Sequence, residues 1–210
     1  MLYNFIAIEG NIGSGKTLLA TKLAKDFKAR LLLEQFADNP FLPRFYESPE
    51  QNAFPLELFF MAERYHQLKF QKEQDLFQPL TISDYFFMKS KLFAQNNLQS
   101  DEYHLFTRLF EIMLSSLSVP DLLIYLYANI SRLQQNIKKR GRTFEQDISE
   151  DYLQNIQNRY LDYLQKQNSF PVLVLDVSHV DFKTEQIVYE KIKKLIECKY
   201  KIGVHQFNLA

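Results

Sequence analysis

The chain of 210 residues contains one cysteine, five glycines and no excess of either charge. The lone Cys198 excludes an internal disulfide and a cysteine-rich zinc site, which is typical of a protein from a reducing compartment. We expect this thiol to be half-buried on the last helix. The 25 basic side chains balance the 25 acidic ones, so no overall field attracts nucleic acid, and we expect no nucleic-acid partner.

Long apolar runs are also missing. No segment approaches the roughly 18 apolar residues of a membrane span, and the first apolar run lacks the basic flank of a signal peptide. We therefore predict a cytoplasmic protein with no membrane contact. The length and the 46% hydrophobic content suit a globular chain with a sizeable core, and we predict a single domain over residues 1–210.

Three of the five glycines fall in one segment, GNIGSGKT at residues 10–17, which matches the phosphate-binding pattern G-x-x-x-x-G-K-[ST]. An apolar run at residues 3–8 predicts a buried strand before it, and residues 18–24 predict a helix after it. Backbone N–H groups of such a loop surround phosphate oxygens, its lysine reaches the outer phosphates, and its threonine hydroxyl can ligate Mg²⁺. We predict that the whole loop binds the ligand: Gly10, Asn11, Ile12, Gly13, Ser14, Gly15, Lys16 and Thr17. An ordinary glycine-rich turn is the less favoured alternative.

Short apolar runs alternate with helical patterns along the rest of the chain. The predicted strands are residues 3–8, 29–33, 80–83, 122–127 and 172–175. This alternation predicts an α/β fold, with a parallel five-stranded sheet covered by helices on both faces.

Helical patterns occupy seven segments: residues 16–28, 56–75, 86–97, 101–117, 130–139, 150–167 and 185–198. Ser100 and Ser149 are the predicted N-caps of the fourth and sixth helices. Prolines at 40, 43, 49 and 55 predict a loop with short helical pieces.

Acidic residues stand where predicted strands end, namely Glu34, Asp84 and Asp176. Ligands of open α/β sheets bind at the carboxyl ends of the strands. We expect the second and third strands to flank the first, which would place Glu34 and Asp84 beside the phosphate loop. One carboxylate could then accept a hydroxyl proton while the other holds Mg²⁺. The alternative for each is a capping or solvated acid, and for Asp176 we favour it.

The basic segment at residues 138–145, KKRGRTFE, has a glycine between two arginines. Arg140 and Arg142 could fold over a triphosphate as a lid and neutralise the charge on the transferring group. The alternative is a basic helix terminus that ends at Gly141. Because the phosphate loop requires a site that excludes water, we favour the lid.

Six segments, taken in order, resemble the deoxynucleoside kinases that act on deoxycytidine, deoxyguanosine and deoxyadenosine. They are residues 10–17, 34–36, 39–46, 55–64, 83–94 and 140–146, so the resemblance covers nearly the whole chain. It implies a P-loop kinase fold with a short arginine-bearing lid, and transfer of a phosphoryl group from ATP to the 5′-hydroxyl of a deoxynucleoside. It also implies Mg²⁺ as cofactor and a homodimer, for which the two apolar helices at 86–97 and 101–117 would supply the contact.

The resemblance implies roles for individual residues. It gives catalytic roles to Lys16, Glu34, Asp84, Arg140 and Arg142, with Glu34 as the general base for the 5′-hydroxyl. It gives the Mg²⁺ contacts to Thr17 and Asp84. It gives substrate contacts to Tyr46 and Glu145, at the sugar 3′-hydroxyl, and to Glu57, Arg64 and Phe93, at the base.

The chain departs from the family where an acid-arginine-serine triplet normally follows the third strand, because Ser83-Asp84-Tyr85 contains no arginine. The missing guanidinium leaves one phosphate contact without a donor, for which Lys89 or Arg64 is a candidate. Another family arginine is Asn136 here. Lys89 also stands where the family has an aspartate that contacts the base.

A further departure is Glu57, which replaces the glutamine that reads the base. A carboxylate only accepts hydrogen bonds, and guanine offers two adjacent donors, N1–H and the N2 amino group. We therefore predict purine deoxynucleosides as substrates, deoxyguanosine ahead of deoxyadenosine. The alternative is that Glu57 pairs with Arg64 and a water molecule reads the base.

Two other functions remain as alternatives. A nucleoside monophosphate kinase would need cations for the acceptor's phosphate, yet residues 36–64 contain only Arg44 and Arg64 as basic residues. A regulatory module that binds nucleotide without catalysis is suggested by the missing arginine. Against it, mere binding of ATP needs no acid such as Glu34.

Overall fold

The computed structural model describes residues 2–35, 39–69, 80–182 and 184–209. Within these residues, six parallel strands form one sheet in the order β2-β3-β1-β4-β5-β6. The strands are β1 Phe5–Gly10, β2 Arg30–Leu32, β3 Thr81–Ser83, β4 Leu122–Tyr127, β5 Pro171–Asp176 and β6 Gly203–Asn208. The prediction of five strands was therefore one strand short.

The missed strand, β6, pairs with β5 from Gly203 to Asn208 at the edge of the sheet. Its residues alternate between half-buried and exposed, whereas β1 is buried throughout. We recognised strands by continuous apolar runs, which are typical of the buried interior of a parallel sheet. An edge strand such as β6 has one neighbouring strand and one solvent-exposed face, so its sequence lacks a continuous apolar run.

The position of β2 also differs from our expectation, because β3 lies between β2 and β1. Only β3 and β4 flank β1. All the strands are parallel, so the carboxyl ends of β1, β2 and β3, where the chain leaves each strand, still lie on the same side of the sheet. Glu34 and Asp84 therefore reach the end of the sheet that carries the phosphate loop.

Eight α-helices and one short 3-10 helix are seen among the described residues. The α-helices are α1 Lys16–Phe27, α2 Phe41–Glu47, α3 Pro49–Lys69, α4 Met88–Asn97, α5 Ser100–Leu114, α6 Ile130–Arg140, α7 Glu150–Lys166 and α8 Gln186–Ile196, and the 3-10 helix is Thr143–Glu145. Ser149 caps α7 as predicted, and its hydroxyl accepts from the backbone N–H of Tyr152 at 3.1 Å. The prediction for Ser100 was wrong by one position. Gln99 is the cap, and the Glu102 carboxylate accepts from the Gln99 backbone N–H.

The proline-rich stretch is helical rather than mostly loop. Pro43 lies in the first turn of α2 and Pro49 begins α3. Proline is tolerated there because first-turn N–H groups have no intrahelical acceptor. Pro55 lies inside α3, whose buried apolar residues offset the lost hydrogen bond. The helix predicted at 56–75 is the later part of α3, and residues 70–75 lie outside the described residues, as does Phe36 of the segment 34–36.

Apolar side chains fill both faces of the sheet, which explains its coverage by helices on both sides. Ile6 and Ile8 of β1 pack with α1, α6 and α8 on one face, whereas Phe5 and Ala7 pack with α3, α4, α5 and α7 on the other. Cys198 is exposed and follows the end of α8, so our expectation of a half-buried thiol on the last helix was wrong. Within the described residues, every helix is too short or too polar to cross a membrane.

Candidate functional site

The phosphate loop connects β1 to α1 and packs against α6. Gly13 and Gly15 have φ angles of +83° and +92°, in the region that favours glycine. A Cβ atom on Gly13 would lie 2.8 Å from the Leu133 carbonyl oxygen, so only glycine fits between the loop and the helix. The Lys16 ammonium donates to the Asn11 carbonyl oxygen at 2.9 Å. Burial, with repulsion from Lys89, lowers the pKa of Lys16 to about 8.

An open groove lies over this loop, and we call it the loop groove. Beyond the loop, its lining includes four basic side chains, Arg132, Lys139, Arg140 and Arg142, and one acidic side chain, Asp181. Asn136 also lines it and donates to the Gly13 carbonyl oxygen at 2.8 Å. Cations around a glycine cradle at a helix N-terminus suit a polyphosphate.

Thr17 and Asp84 meet beside the loop. The Thr17 hydroxyl donates to Asp84 Oδ2 at 2.5 Å, and Asp84 Oδ1 accepts from the Glu34 backbone N–H at 2.7 Å. Among the described residues, no three His, Cys, Asp or Glu side chains form a metal-binding group. A hydroxyl and a carboxylate nevertheless fit Mg²⁺, which takes one or two protein ligands and completes its shell with water and phosphate oxygens.

Glu34 forms ion pairs with two buried cations. Its Oε1 accepts from Arg64 Nη2 at 2.6 Å, and its Oε2 accepts from Lys89 Nζ at 2.6 Å. Burial alone would raise the pKa of Glu34, but the charges of Lys89 and Arg64 outweigh it and hold the pKa well below its usual range. Sequence reasoning did not anticipate either ion pair.

A second space, which we call the inner cavity, begins at Glu34 and extends between α2, α3, α4 and α7. It brings together all five residues that the sequence suggested for the substrate, Tyr46, Glu57, Arg64, Phe93 and Glu145, with Glu34 and Lys89. Arg142 lines both the inner cavity and the loop groove. The two spaces therefore adjoin.

Glu57 lies inside the inner cavity with one oxygen held and one unpaired. Its Oε1 accepts from Asn97 Nδ2 at 2.7 Å, whereas Oε2 is buried and has no hydrogen-bond partner within the described part of the chain. Burial, opposed by the charge of Arg64, raises the pKa of Glu57 to about 7. The ion pair of Arg64 is with Glu34, so the pairing of Glu57 with Arg64 that we considered does not form.

The basic segment after α6 combines features of both alternatives. Gly141 ends α6 with a φ of +75°, as expected for a helix terminus. Arg140 and Arg142 then pair with the same carboxylate, that of Glu145. Next to Glu145, the Phe144 ring stacks on Tyr46 with centroids 6.0 Å apart. Both arginines thus stand at the loop groove, and the single charge of Glu145 offsets one of their two positive charges.

Glu9 is a buried acid beside the site that sequence reasoning missed; it lines neither space, but its charge acts on Lys16 of the phosphate loop. It is 2% exposed, and its carboxylate accepts from the Phe86 backbone N–H at 2.6 Å and from the Tyr160 hydroxyl at 2.8 Å. The available signal was an acid inside the apolar run of β1, directly before the loop. Asp176 accepts from the Ser178 backbone N–H at 2.9 Å and also lines neither space, which supports the capping role that we favoured.

A family model described as deoxynucleoside kinase matches residues 6–199. The chain belongs to the deoxynucleoside kinase family. It is 36% identical to a deoxyguanosine kinase of Bacillus subtilis over 194 residues, which cover 90% of this chain and 93% of the relative. It is 30% identical to a deoxyadenosine kinase of Dictyostelium discoideum over 203 residues, which cover 93% of this chain and 79% of the relative.

Solved structures agree with this assignment. A deoxyadenosine kinase from M. mycoides with bound dATP superposes with a TM-score of 0.79 at 25% identity, over 92% of this kinase and 99% of that chain. The same kinase with dCMP and a flexible dCDP gives a TM-score of 0.80 at 25% identity, over 91% and 98%. The predicted α/β kinase fold is confirmed, apart from the sixth strand, and the chain is a phosphotransferase.

Proposed function

We propose that this kinase transfers the γ-phosphoryl group of ATP to the 5′-hydroxyl of a purine deoxynucleoside, with deoxyguanosine preferred to deoxyadenosine. The main support is a pair of hydrogen bonds at Asp84. Its carboxylate accepts from the backbone N–H of Glu34, an acid of the inner cavity, and from the hydroxyl of Thr17 in the phosphate loop. Donor and acceptor can therefore meet at this point.

The loop groove would hold the triphosphate. Lys16 contacts the outer phosphates, and Arg140 and Arg142 move from Glu145 to the charge that develops during transfer. Mg²⁺, held by Thr17 and Asp84 with water, would neutralise part of the phosphate charge when bound.

The inner cavity would hold the deoxynucleoside. Glu34 accepts the proton of the 5′-hydroxyl, and Tyr46 with Glu145 binds the 3′-hydroxyl. Phe93 offers a ring on which the base stacks, and it also packs edge-on against Tyr160 with centroids 6.4 Å apart. Glu34 would then lie between nucleoside and phosphate.

Glu57 supports the preference for guanine. Its unpaired Oε2, together with Oε1, would offer two acceptors to a bound base, which match the adjacent N1–H and N2 donors of guanine. Arg64 lies close enough to affect the charge of Glu57 and could donate to guanine O6 or N7. Adenine would pair at both positions only with Glu57 protonated. The similarity to relatives named deoxyguanosine and deoxyadenosine kinases agrees with a purine.

Steady-state rates with the four deoxynucleosides test the substrate. We expect kcat/KM for deoxyguanosine to exceed that for each pyrimidine by about tenfold or more, equivalent to about 1.4 kcal/mol. Glu57→Gln should lower the ratio of deoxyguanosine to deoxyadenosine by about tenfold, whereas Glu63→Gln on the same helix should leave it unchanged. A tenfold preference for thymidine or deoxycytidine would overturn the purine assignment.

Rates of two further variants test phosphoryl transfer. Glu34→Gln keeps the shape but removes the proton acceptor, so kcat should fall by about 10²–10⁴ with a much smaller change in KM for the nucleoside. Lys16→Ala should leave less than about a tenth of kcat while the fold, followed by circular dichroism, is unchanged. Wild-type rates in both variants would refute the proposed roles of Glu34 and Lys16 in phosphoryl transfer.

The monophosphate kinase and regulatory alternatives are not favoured by the comparisons.

We also propose that the kinase is one domain over residues 1–210, is cytoplasmic and forms a homodimer. The dimer is supported by Leu105 and Ile112 of α5, which are 49% and 70% exposed. Sedimentation of wild type and of Ile112→Glu tests it, because the charge should convert a dimer to a monomer.

A further inference from the structure

The two cations that hold Glu34 differ in how firmly they are themselves held. Arg64 also donates from Nη1 to Ser90 Oγ at 2.8 Å and lies 5.0 Å from the Phe60 ring centroid. Lys89 has its ammonium on Glu34 Oε2 at 2.6 Å and 5.5 Å from the Phe93 ring centroid. The planar guanidinium of Arg64 is thus held by several contacts, whereas the ammonium of Lys89 lies at the end of a flexible side chain.

The ion pairs conflict with the proposed role of Glu34. A proton acceptor needs an oxygen that the hydroxyl can reach, and its basicity must suit the transfer. Arg64 occupies Oε1 and Lys89 occupies Oε2. With both cations in place, Glu34 is a poor base.

Lys89 contacts Glu34 and acts through its charge on the phosphate loop. It lines the inner cavity at 6% exposure, and the charges of Lys89 and Lys16 repel each other. A triphosphate in the loop groove would bring negative charge to this side of Lys89. The charged groups around Lys89 and Glu34 come from β1, α1, α3 and the residue after β3, and they are Glu9, Lys16, Glu57, Arg64 and Asp84.

We propose that Lys89 is a catalytic residue that changes partner during the reaction. Without nucleotide its ammonium covers Glu34 Oε2, and with the donor bound it moves onto the oxygens of the phosphoryl group, which frees Oε2 for the 5′-hydroxyl. This rests on the proposed function. Donor binding would thereby activate the base.

The transfer step then balances without any change of protonation at Lys89. The 5′ O–H bond breaks and its proton goes to Glu34 Oε2, while the 5′ oxygen forms a bond to the γ-phosphorus. The bond from that phosphorus to the bridging oxygen breaks, and ADP leaves with the electron pair. Lys89 stabilises the charge on the transferring group, as Arg140 and Arg142 do.

Kinetics of three variants test the role of the charge. Lys89→Met should lower kcat by about 100-fold or more with less than a threefold change in KM for deoxyguanosine, since Lys89 contacts the phosphoryl group of the donor and not the nucleoside. Lys89→Arg, which keeps the charge, should retain about tenfold more activity than Lys89→Met. Lys91→Met is the control, because Lys91 lies on the same helix and pairs only loosely with Glu111 at 3.9 Å. A Lys89→Met enzyme with more than about a third of wild-type kcat would overturn the proposal.

The exchange of partners itself is tested by NMR titration of carboxyl-labelled glutamate, with Glu34→Gln used to assign the Glu34 signal. A non-hydrolysable ATP analogue with Mg²⁺ should raise the pKa of Glu34 clearly more in the wild type than in Lys89→Met, because the phosphate and Mg²⁺ charges act in both proteins but an ammonium leaves the carboxylate in the wild type alone. An equal rise in both proteins would overturn the exchange. If Lys89→Met does not fold, an unchanged Glu34 pKa in the wild type overturns it equally. A wild type inactive on every deoxynucleoside would instead refute the proposed function.

Discussion

Arg64 donates two hydrogen bonds, from Nε and Nη2, to the same carboxylate oxygen of Glu34, at 2.8 and 2.6 Å. Arg64 is 3% exposed and lies on α3, and its remaining Nη1 binds Ser90 of α4. The guanidinium therefore links two helices to the segment that follows β2. A buried charge with several partners cannot be removed alone without leaving those partners unsatisfied.

Arg64→Leu should destabilise the ligand-free protein by about 2–4 kcal/mol, because it leaves Glu34 with Lys89 alone and Ser90 without its donor. Urea unfolding at neutral pH measures the change. Lys91→Met is the control, since its ion pair is partly exposed and should contribute less than about 0.5 kcal/mol. Equal stability of the two variants would show that the Arg64 contacts are not formed in solution.

Glu57→Gln should change how stability depends on pH. The pKa of Glu57 is raised by burial to about 7, against roughly 4.3 in an unfolded chain. The raised pKa therefore does not reduce the free energy of unfolding of the wild type below pH ~4.3. That free energy falls as the pH rises towards 7, because ionisation of the buried carboxyl is unfavourable. The glutamine variant escapes this loss, so its advantage over the wild type should be larger at pH 8 than at pH 5, by on the order of 1–3 kcal/mol.

Urea unfolding of both proteins at the two pH values measures the difference. Glu47→Gln is the matched control, because Glu47 is exposed at the end of α2 and its replacement should give the same change at both pH values. A Glu57→Gln protein that gains nothing at pH 8 would mean that the carboxylate of the wild type is solvated or paired there.

Much of the fold could be predicted because its signals are local. The strand, glycine loop and helix around residues 5–27 follow one another in the sequence, and the residue types of each segment predict its own backbone conformation. The edge strand β6 could not be found in this way, because an alternating pattern at a sheet edge resembles an ordinary surface segment. The prolines of α2 and α3 misled us because their effect depends on their place in a helix turn.

The candidate site was predictable in its membership but not in its pairings. Glu34 could be suggested from its place after a strand. Its partners Arg64 and Lys89 lie 30 and 55 residues further along the chain, on different helices, and only the packing of α3 against α4 brings them together. For the same reason the unpaired oxygen of Glu57 depends on Asn97, 40 residues away, which no local pattern indicates.

Arg142→Ala should lower kcat by about 10–100-fold while KM for ATP changes by less than about threefold, because Arg142 meets charge that grows during transfer. In the ligand-free protein Arg142 Nη1 lies 3.0 Å from Glu145 Oε1. Lys138→Ala, at an exposed position in the last turn of α6, is the control and should behave as the wild type. A variant that binds ATP far more weakly but keeps its saturated rate would show that Arg142 holds only the ground-state nucleotide.

Asp84→Asn should raise the Mg²⁺ concentration needed for half-maximal activity by about tenfold or more, because an amide offers Mg²⁺ one neutral oxygen in place of a carboxylate. Asp84 Oδ2 contacts Thr17 of the phosphate loop, whereas Oδ1 accepts from the Glu34 backbone, so the side chain faces the phosphate side of the site. High Mg²⁺ should therefore restore part of the rate. Glu34→Gln provides the contrast, since its low kcat should persist at every Mg²⁺ concentration. The reverse pattern, with Mg²⁺ rescuing Glu34→Gln but not Asp84→Asn, would mean that Asp84 is the base and Glu34 the metal ligand.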